Sequence, residues 1–114
     1  MSLMLTLRER VEMKGRTLTV TQTAFDCLPR TRNFLIDVAR KGRTVTYGEV
    51  KSELDLPYAP NGMGRLLDLL SEDCARRGEP SVAAIVVNRS TGEVGHDFAG
   101  DAFAERKLVY KRWR

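Results

Sequence analysis

The fold is decided by residues 46–77, which read TYGEVKSELDLPYAPNGMGRLLDLLSEDCARR. The stretch opens on a capping box, because the Thr46 hydroxyl can accept a backbone N–H and the Glu49 carboxylate can reach back to the same turn. This predicts a short helix that ends at residues 55–57, Asp-Leu-Pro. A longer helix follows, since apolar side chains recur at helical spacing over residues 63–74. Two helices separated by only a few residues predict a helix-turn-helix.

The residues before this stretch predict two further elements. In residues 4–23 apolar and polar side chains alternate on either side of residues 14–16, which favours a hairpin, although residues 5–13 could also form a short helix. Pro29 suits a first helical turn, and the helix that it opens is expected to end at Gly42.

The residues after the stretch predict a β-hairpin and a closing helix. Residues 82–87 are rich in β-branched side chains, residues 88–92 supply a turn, and residues 93–95 can return as a partner strand. A closing amphipathic helix is favoured by Phe103, Val109, Tyr110 and Trp113. This order predicts an α+β winged helix-turn-helix, which is a three-helix core with a β-hairpin wing.

Composition indicates one ordered domain without a membrane span. Of the 114 residues, 42% are hydrophobic and 30% are charged, which argues against disorder. No apolar run approaches the about 20 residues of a transmembrane helix and no secretory signal is visible, so we expect a cytoplasmic protein with no membrane partner. The length predicts a single winged-helix-like domain over residues 1–114, in which residues 1–23 are an extension whose structure the pattern leaves open.

The charge is compatible with a nucleic-acid partner. Lys and Arg number 19 against 15 Asp and Glu, and an excess of positive charge favours polyanions. Basic residues gather in residues 30–43 and 107–114, whereas acidic residues gather in residues 68–73. A one-sided basic surface is therefore a reasonable expectation.

The sequence pattern indicates no metal, no cofactor and no catalytic group. Cys27 and Cys74 are too far apart along the chain for a zinc motif, and His96 is the single histidine. Cys74 also lies on the apolar stripe of the longer helix, so we expect a buried small hydrophobic side chain there.

Asp68, Glu72 and Asp73 form an acidic cluster on the longer helix. A metal-dependent nuclease would need such carboxylates, but i, i+4 pairing of Glu72 with Arg76 and of Asp73 with Arg77 explains them more simply. We expect these acids on the outer side of the helix. There they would repel DNA and favour an alternative function, a protein-interaction or dimerisation module.

Several short motifs resemble a known family of DNA-binding domains. They are Val45-Thr46-Tyr47-Gly48-Glu49-Val50, Leu56-Pro57, Ala59, Met63-Gly64, and Val86-Val87-Asn88 with Gly92 and Gly95. Over about residues 30–98 the chain is similar to the DNA-binding domain of the O6-alkylguanine-DNA alkyltransferases and the alkyltransferase-like proteins. The resemblance implies a winged helix on duplex DNA, with Tyr47 pressing on a phosphate. It places Asn61 where the family has an arginine that fills the gap left by a flipped base.

The same resemblance implies that the chain is not an alkyltransferase. The acceptor cysteine of that family lies in a Pro-Cys-His-Arg stretch, which reads Val82-Ala83-Ala84-Ile85 here. Alkyl transfer needs an activated thiolate, and Ala83 offers neither sulfur nor base. The implied protein is a non-catalytic DNA-binding domain, accessory to DNA repair, restriction or regulation.

The candidate DNA-contacting residues follow from the resemblance and from helix-turn-helix geometry. They are Arg43, Thr46, Tyr47, Tyr58, Asn61, Gly62, Arg65 and Arg89. Interpretations without function stay open, since Tyr47 can pack on the core and Arg43 can stabilise a helix C-terminus. The predicted partner is double-stranded DNA, and a homodimer or a partner protein is the alternative.

Overall fold

The computed structural model describes residues 3–13, 15–59, 62–89 and 102–114 and confirms the predicted α+β class. Within these residues there are four α-helices and two two-stranded sheets. The elements are β1 (Arg10–Met13), β2 (Arg16–Thr19), α1 (Gln22–Arg40), β3 (Val45–Thr46), α2 (Tyr47–Leu54), α3 (Met63–Arg76), a 3₁₀ turn (Val82–Ile85), β4 (Val86–Val87) and α4 (Ala102–Trp113). The largest fully buried side chains include Leu28, Leu35, Met63, Leu66, Leu70 and Ile85. None of the helices in the described part of the chain is both long and apolar enough to cross a membrane.

The N-terminal hairpin forms as predicted. β1 and β2 pair antiparallel with Val11 opposite Leu18, and both side chains are buried in the core. Gly15 takes the turn with a φ of +76°, a left-handed conformation that glycine adopts without steric cost. The hairpin interpretation of residues 4–23 is therefore confirmed, and the alternative helix over residues 5–13 is wrong.

The first helix begins earlier than predicted, because Thr21 and not Pro29 starts it. The Thr21 hydroxyl accepts a hydrogen bond from the Ala24 N–H at 3.1 Å and caps α1. Pro29 therefore lies inside the helix. An interior proline costs about 3 kcal/mol, and burial of Ala24, Cys27 and Leu28 in the turns around it offsets this cost.

The C-terminus of α1 and both ends of α2 are as predicted. Gly42 follows α1 with a φ of +66°. At the start of α2 the Thr46 N–H donates to Glu49 Oε1 at 3.0 Å, and the Glu49 N–H donates to Thr46 Oγ1 at 3.1 Å. The capping box is therefore confirmed. Asp55, in a left-handed conformation, ends α2.

α3 carries the predicted apolar stripe, but its acids do not all lie on an outer side. Asp73 is 0% exposed and Asp68 is 9% exposed. The Met4 N–H donates to Asp73 Oδ1 at 2.6 Å, and Arg16 Nη2 lies 2.9 Å from Asp68 Oδ2. The expected outer position of these two acids is wrong, because the N-terminal segment (residues 3–13 and 15–20) packs over that side of α3.

Both predicted i, i+4 ion pairs of α3 are confirmed. Arg76 Nε lies 2.9 Å from Glu72 Oε2, and Arg77 Nε lies 2.8 Å from Asp73 Oδ2. Arg76 also pairs with Glu9, with Nη2 2.5 Å from Oε2. The N-terminal segment is thereby bound to α3 by charge as well as by apolar contact.

The ion pair of Glu9 predicts a loss of stability in acid. Hydrogen bonding to Arg76 is the main cause that holds the pKa of Glu9 below its ordinary value of 4.5. A carboxylate whose pKa is lowered by folding adds stability above the ordinary value, and this stability is lost as the pH falls through the folded value. We therefore expect the melting temperature to fall as the pH drops below about 4.5, and to fall less steeply in Glu9→Gln.

Circular dichroism melts between pH 3 and pH 7 measure this dependence. The control is Glu53→Gln, at an exposed residue of α2, which should keep the pH dependence of the wild type. Equal pH dependence in the wild type and in Glu9→Gln would contradict the prediction.

The strand predicted before the wing is mostly a 3₁₀ turn. The Ser81 hydroxyl accepts from the Ala83 N–H at 3.3 Å and starts the turn over Val82–Ile85. Only Val86–Val87 forms a strand, β4, and it pairs parallel with β3. The turn residues are all buried, and this packing together with the serine cap outweighs their β-propensity. The predicted return strand over residues 93–95 lies outside the described residues.

The predicted closing helix forms as α4. Val109 is fully buried, and Tyr110 and Trp113 pack against the core. Phe103 was expected on the same face but is 60% exposed. The first turn of α4 therefore points an aromatic side chain towards solvent, because the contacts of this helix with the core lie further along it.

Candidate nucleic-acid interface

Parallel pairing of β3 with β4 brings Tyr47 and Arg89 to one end of the small sheet. Thr46 lies opposite Val87, so the residues that follow them, Tyr47 and Asn88, leave the strands at the same end. Neighbouring strands run about 4.8 Å apart, and the exposed Arg89 comes one residue after Asn88. Two candidate residues that are far apart along the chain are therefore close in space.

The start of α2 is closed by the capping box, and Glu49 places one negative charge there. Tyr47 is half-buried and packs against the core, and the Thr46 hydroxyl is engaged in the capping box. Hydrogen bonds from Thr46 hold the pKa of Glu49 below its ordinary value, and the charge of Arg43 adds to this effect. The core-packing interpretation of Tyr47 is thus compatible with the structure, as is contact of its exposed part with a ligand.

α3 exposes its first turn while its middle is covered. Gly64 and Arg65 are exposed, whereas residues 66–70 are all buried. Among the described residues no side chain caps this turn, and the turn contains no acidic residue. The N–H groups at a helix N-terminus attract anions, and Arg65 adds a full positive charge beside them. Because residues 66–70 are buried, the middle of α3 cannot lie along a DNA groove. The exposed first turn can contact a polyanion only with the end of the helix.

Tyr58 packs against Gly62, the residue directly before α3. A Cβ added to Gly62 would lie 3.4 Å from Tyr58 Cδ1, and the half-buried Tyr58 side chain packs against the core. Burial raises the pKa of the Tyr58 hydroxyl. The contact between Tyr58 and Gly62 therefore fixes the direction in which the chain enters α3. Asn61, the residue nearest the bases in the sequence-based interpretation, lies outside the described residues.

A second positive surface, here named the basic corner, consists of Lys41, Arg43 and Arg114. The guanidinium carbon of Arg114 would lie 3.0 Å from a Cβ added to Gly42, which sits between the other two cations. The Tyr110 hydroxyl donates to the Arg43 carbonyl oxygen at 2.9 Å and joins α4 to this turn. Sequence reasoning missed the corner: the two basic runs are visible in the sequence, but no local signal shows that they meet.

A groove of about 340 Å³ opens beside the basic corner, between α1, β3 and α2. Its lining residues are Phe34, Val38, Lys41, Arg43, Thr44, Val45, Glu49 and Glu53. Because the cations and the carboxylates line the same groove, the positive charge of the corner is partly compensated on that side. The helix C-terminus at residues 40–42 also attracts cations, so the structural interpretation of Arg43 is compatible with the geometry.

The described residues contain no metal-binding cluster and no exposed thiol. No cluster of three or more His, Cys, Asp or Glu side chains that could hold a metal is found there. Cys27 and Cys74 are free thiols and buried, and burial raises the pKa of Cys74. Ala83, which the resemblance aligns with an acceptor cysteine, is a methyl group with 5% exposure.

The chain was compared with protein-family models, with curated proteins and with solved structures. None of them matches it. The alkyltransferase-like resemblance therefore stays a prediction carried by the quoted motifs alone. The geometry of the described residues is what supports a functional proposal.

Proposed function

We propose that this protein is a non-catalytic winged-helix domain that binds double-stranded DNA. The observation that carries the proposal is the first turn of α3, in which no described side chain caps the N–H groups, Arg65 is exposed and no residue is acidic. The winged-helix assignment is supported by the order α1, α2, α3, β4, with the wing expected to follow β4 from Asn88. The resemblance to the alkyltransferase-like DNA-binding domains belongs to the same proposal.

The sequence analysis expected the acidic residues of α3 to repel DNA. In the fold their contacts reduce this repulsion. Asp68 and Asp73 are buried and their charges are balanced by Arg16 and Arg77. Glu72 is paired with Arg76. Paired and covered carboxylates repel a distant phosphate weakly, because the field of a charge pair decays faster than the field of a single charge. The main sequence argument for a protein-interaction module is thereby removed.

The proposed contact is dominated by phosphates. Five cations are candidates for it: Lys41, Arg43, Arg65, Arg89 and Arg114. With only the end of α3 available, few side chains can reach base edges, and base contacts are what specify sequence. We therefore propose an accessory protein with low sequence selectivity that acts in DNA repair, restriction or regulation. Its place is the cytoplasm, where Cys27 and Cys74 stay reduced.

A steep salt dependence is the direct expectation. If three to five phosphates are neutralised, the slope of log K against log salt is about −2.7 to −4.5. Affinity should then fall by about 40- to 500-fold between 50 and 200 mM salt. Fluorescence anisotropy on a labelled 20-base-pair duplex measures both quantities. Absence of binding at about 50 mM salt, or a slope near zero, would contradict the proposal.

A further inference from the structure

The groove between α1, β3 and α2, here named the α1–α2 groove, has a volume of about 340 Å³, which is within the range of small-molecule sites. On its α1 side the lining residues are Phe34, Val38 and Lys41, at the i, i+4 and i+7 spacing of one helical side. Phe34 and Val38 are partly buried and pack against the core, and Val45 of β3 is buried. The floor of the groove is therefore apolar.

Two connections show which parts of α1 and α2 face each other. The chain leaves α1 at Arg40 and enters α2 at Tyr47 after a short link that contains β3, so the end of α1 lies near the start of α2. In the middle of α1, Arg30 Nη1 donates to the Leu54 carbonyl oxygen at 2.8 Å, at the last residue of α2. Phe34, about one turn along α1 from Arg30, therefore lies towards the end of α2.

The charged lining residues are separated between these two ends. Lys41 and Arg43 lie at the end of α1 together with Glu49, whose Oε1 accepts the Thr46 N–H in the capping box. Glu53 lies about one turn further along α2, towards the Phe34 end. One end of the groove therefore has two cations and one engaged carboxylate, and the other end has a carboxylate and an aromatic ring.

The cations and the second carboxylate are available to a ligand. Lys41, Arg43 and Glu53 are exposed, and within the described part of the chain no hydrogen bond or ion pair engages their side chains. Arg30 does not line the groove, and its guanidinium donates to the Leu54 carbonyl oxygen and to Cys27 Sγ. A ligand with both charges would thus pair groups that the described residues leave unpaired.

The separation of the two ends sets the length of the ligand. From Phe34 to Lys41 α1 rises by about 10 Å, and three residues of extended peptide span about the same distance. We infer that the α1–α2 groove binds a zwitterionic peptide of about three residues. Its ammonium group contacts Phe34 and Glu53, since an aromatic ring and a carboxylate both attract cations. Its carboxylate contacts Lys41 and Arg43, and an apolar middle side chain packs on Val38.

Thr44 favours a peptide over an ω-amino acid of the same length. Thr44 is exposed and lines the groove, and its hydroxyl can donate to or accept from a peptide amide. A chain of methylene groups offers no partner for this hydroxyl. 8-Aminooctanoate has the same two charges at a similar separation, so it distinguishes the two kinds of ligand.

This inference goes beyond the proposed function and does not rest on it. Lys41 and Arg43 also belong to the basic corner, so a bound peptide should compete with DNA there if both proposals are correct. The peptide titration is carried out without DNA. Each proposal can therefore fail while the other stands.

The test is a titration of the full ¹⁵N-labelled chain with Ala-Leu-Ala that has free termini. We expect a Kd of about 0.1 mM, which a ligand of this size reaches at ordinary efficiency, and shifts of the amide signals that line the groove. N-acetyl-Ala-Leu-Ala lacks the ammonium group and Ala-Leu-Ala-amide lacks the carboxylate. Each of them, and 8-aminooctanoate, should bind at least about fivefold more weakly.

Two variants assign each charge of the peptide to its end of the groove. Glu53→Gln should weaken binding of Ala-Leu-Ala at least about fivefold. It should leave the affinity for N-acetyl-Ala-Leu-Ala unchanged, because that peptide has no ammonium group to lose. Lys41→Gln combined with Arg43→Gln should weaken the free peptide in the same way and leave the affinity for Ala-Leu-Ala-amide unchanged.

The matched controls lie on the N-terminal segment. They are Glu12→Gln for the carboxylate, and Arg8→Gln combined with Arg10→Gln for the two cations, all at exposed residues. Both controls should bind every peptide as the wild type does. Melting curves check that each variant is folded.

Five outcomes would overturn the inference. Three concern the wild type: no binding of Ala-Leu-Ala at about 10 mM, equal binding of the free and blocked peptides, and shifts that map away from the groove. The fourth is a Glu53→Gln variant that weakens the free and the acetylated peptide alike, which would show a structural role for Glu53. The fifth is binding of 8-aminooctanoate as tight as that of Ala-Leu-Ala, which would assign the groove to ω-amino acids instead.

Discussion

Arg65→Glu is expected to weaken binding to duplex DNA by at least about tenfold at 50 to 100 mM salt, since it replaces an attraction for phosphate by a repulsion. Arg65 is exposed beside the start of α3, which no described side chain caps, so the new carboxylate would stand where the helix end attracts anions. The loss should be similar for duplexes of different sequence, because a phosphate contact carries no base information. Fluorescence anisotropy as a function of salt measures the effect, and the salt slope should become shallower by about one unit or more.

Arg10→Glu is the matched control for this prediction. Arg10 is an exposed residue of β1, and its reversal changes the net charge by the same amount as Arg65→Glu. The proposal requires the Arg10 variant to keep an affinity near that of the wild type. If the two variants lose affinity equally, binding responds to net charge alone and α3 does not present the site.

Glu79→Ala is expected to lower the free energy of unfolding by about 3–5 kcal/mol, because it leaves a buried guanidinium without its counter-ion. The Arg32 and Glu79 side chains are 3% and 9% exposed and bind in a bidentate pair, with distances of 2.8 and 3.2 Å. Within the described residues the Arg32 Nε has no hydrogen-bond partner, and the Trp113 ring, with its centroid 5.6 Å from the guanidinium carbon, compensates the charge less than a carboxylate does. For a domain of this size the melting temperature should fall by about 12 to 20 °C.

Arg112→Ala measures how much the exposed Arg112–Glu79 pair contributes to stability, apart from the buried Arg32–Glu79 pair. Arg112 Nη2 lies 3.5 Å from Glu79 Oε2, but its side chain is 53% exposed, so its removal should cost less than about 1 kcal/mol. Replacing both buried partners, in Arg32→Met with Glu79→Leu, should recover most of the stability lost in Glu79→Ala. A Glu79→Ala protein that melts within 3 °C of the wild type would show that Arg32 is solvated, contrary to the structure.

The parts of the fold that the sequence predicts well are those decided by neighbours along the chain. The capping box at Thr46 and Glu49 and the apolar stripe of α3 depend on spacings of three or four residues, and both are confirmed. The hairpin of β1 and β2 depends on alternation around Gly15, and it is confirmed as well. Pro29 misled the prediction because a proline is most common in a first helical turn, whereas burial of the preceding turns keeps it inside α1.

What the sequence could not predict depends on contacts between distant segments. The burial of Asp68 and Asp73 results from packing of the N-terminal segment on α3, and an amphipathic pattern in α3 alone cannot show that. The basic corner needs Arg114 to meet Gly42, which is decided by how α4 crosses α1. Tyr58 was expected near the bases, and its packing against the core follows only from the tertiary fold.

Because β3 and β4 pair in parallel, the helices α2 and α3 between them form the connection from one strand to the other. Parallel strands cannot be joined by a tight turn, so the whole stretch from α2 to the 3₁₀ turn is the crossover connection between these two strands. Such crossovers are almost always right-handed, which limits the side of the sheet on which the two helices can lie. The entropy of closing so long a loop must also be overcome before Val45 meets Val86. We therefore expect the helices to form early from local contacts, and the sheet that brings Tyr47 beside Arg89 to close late in folding.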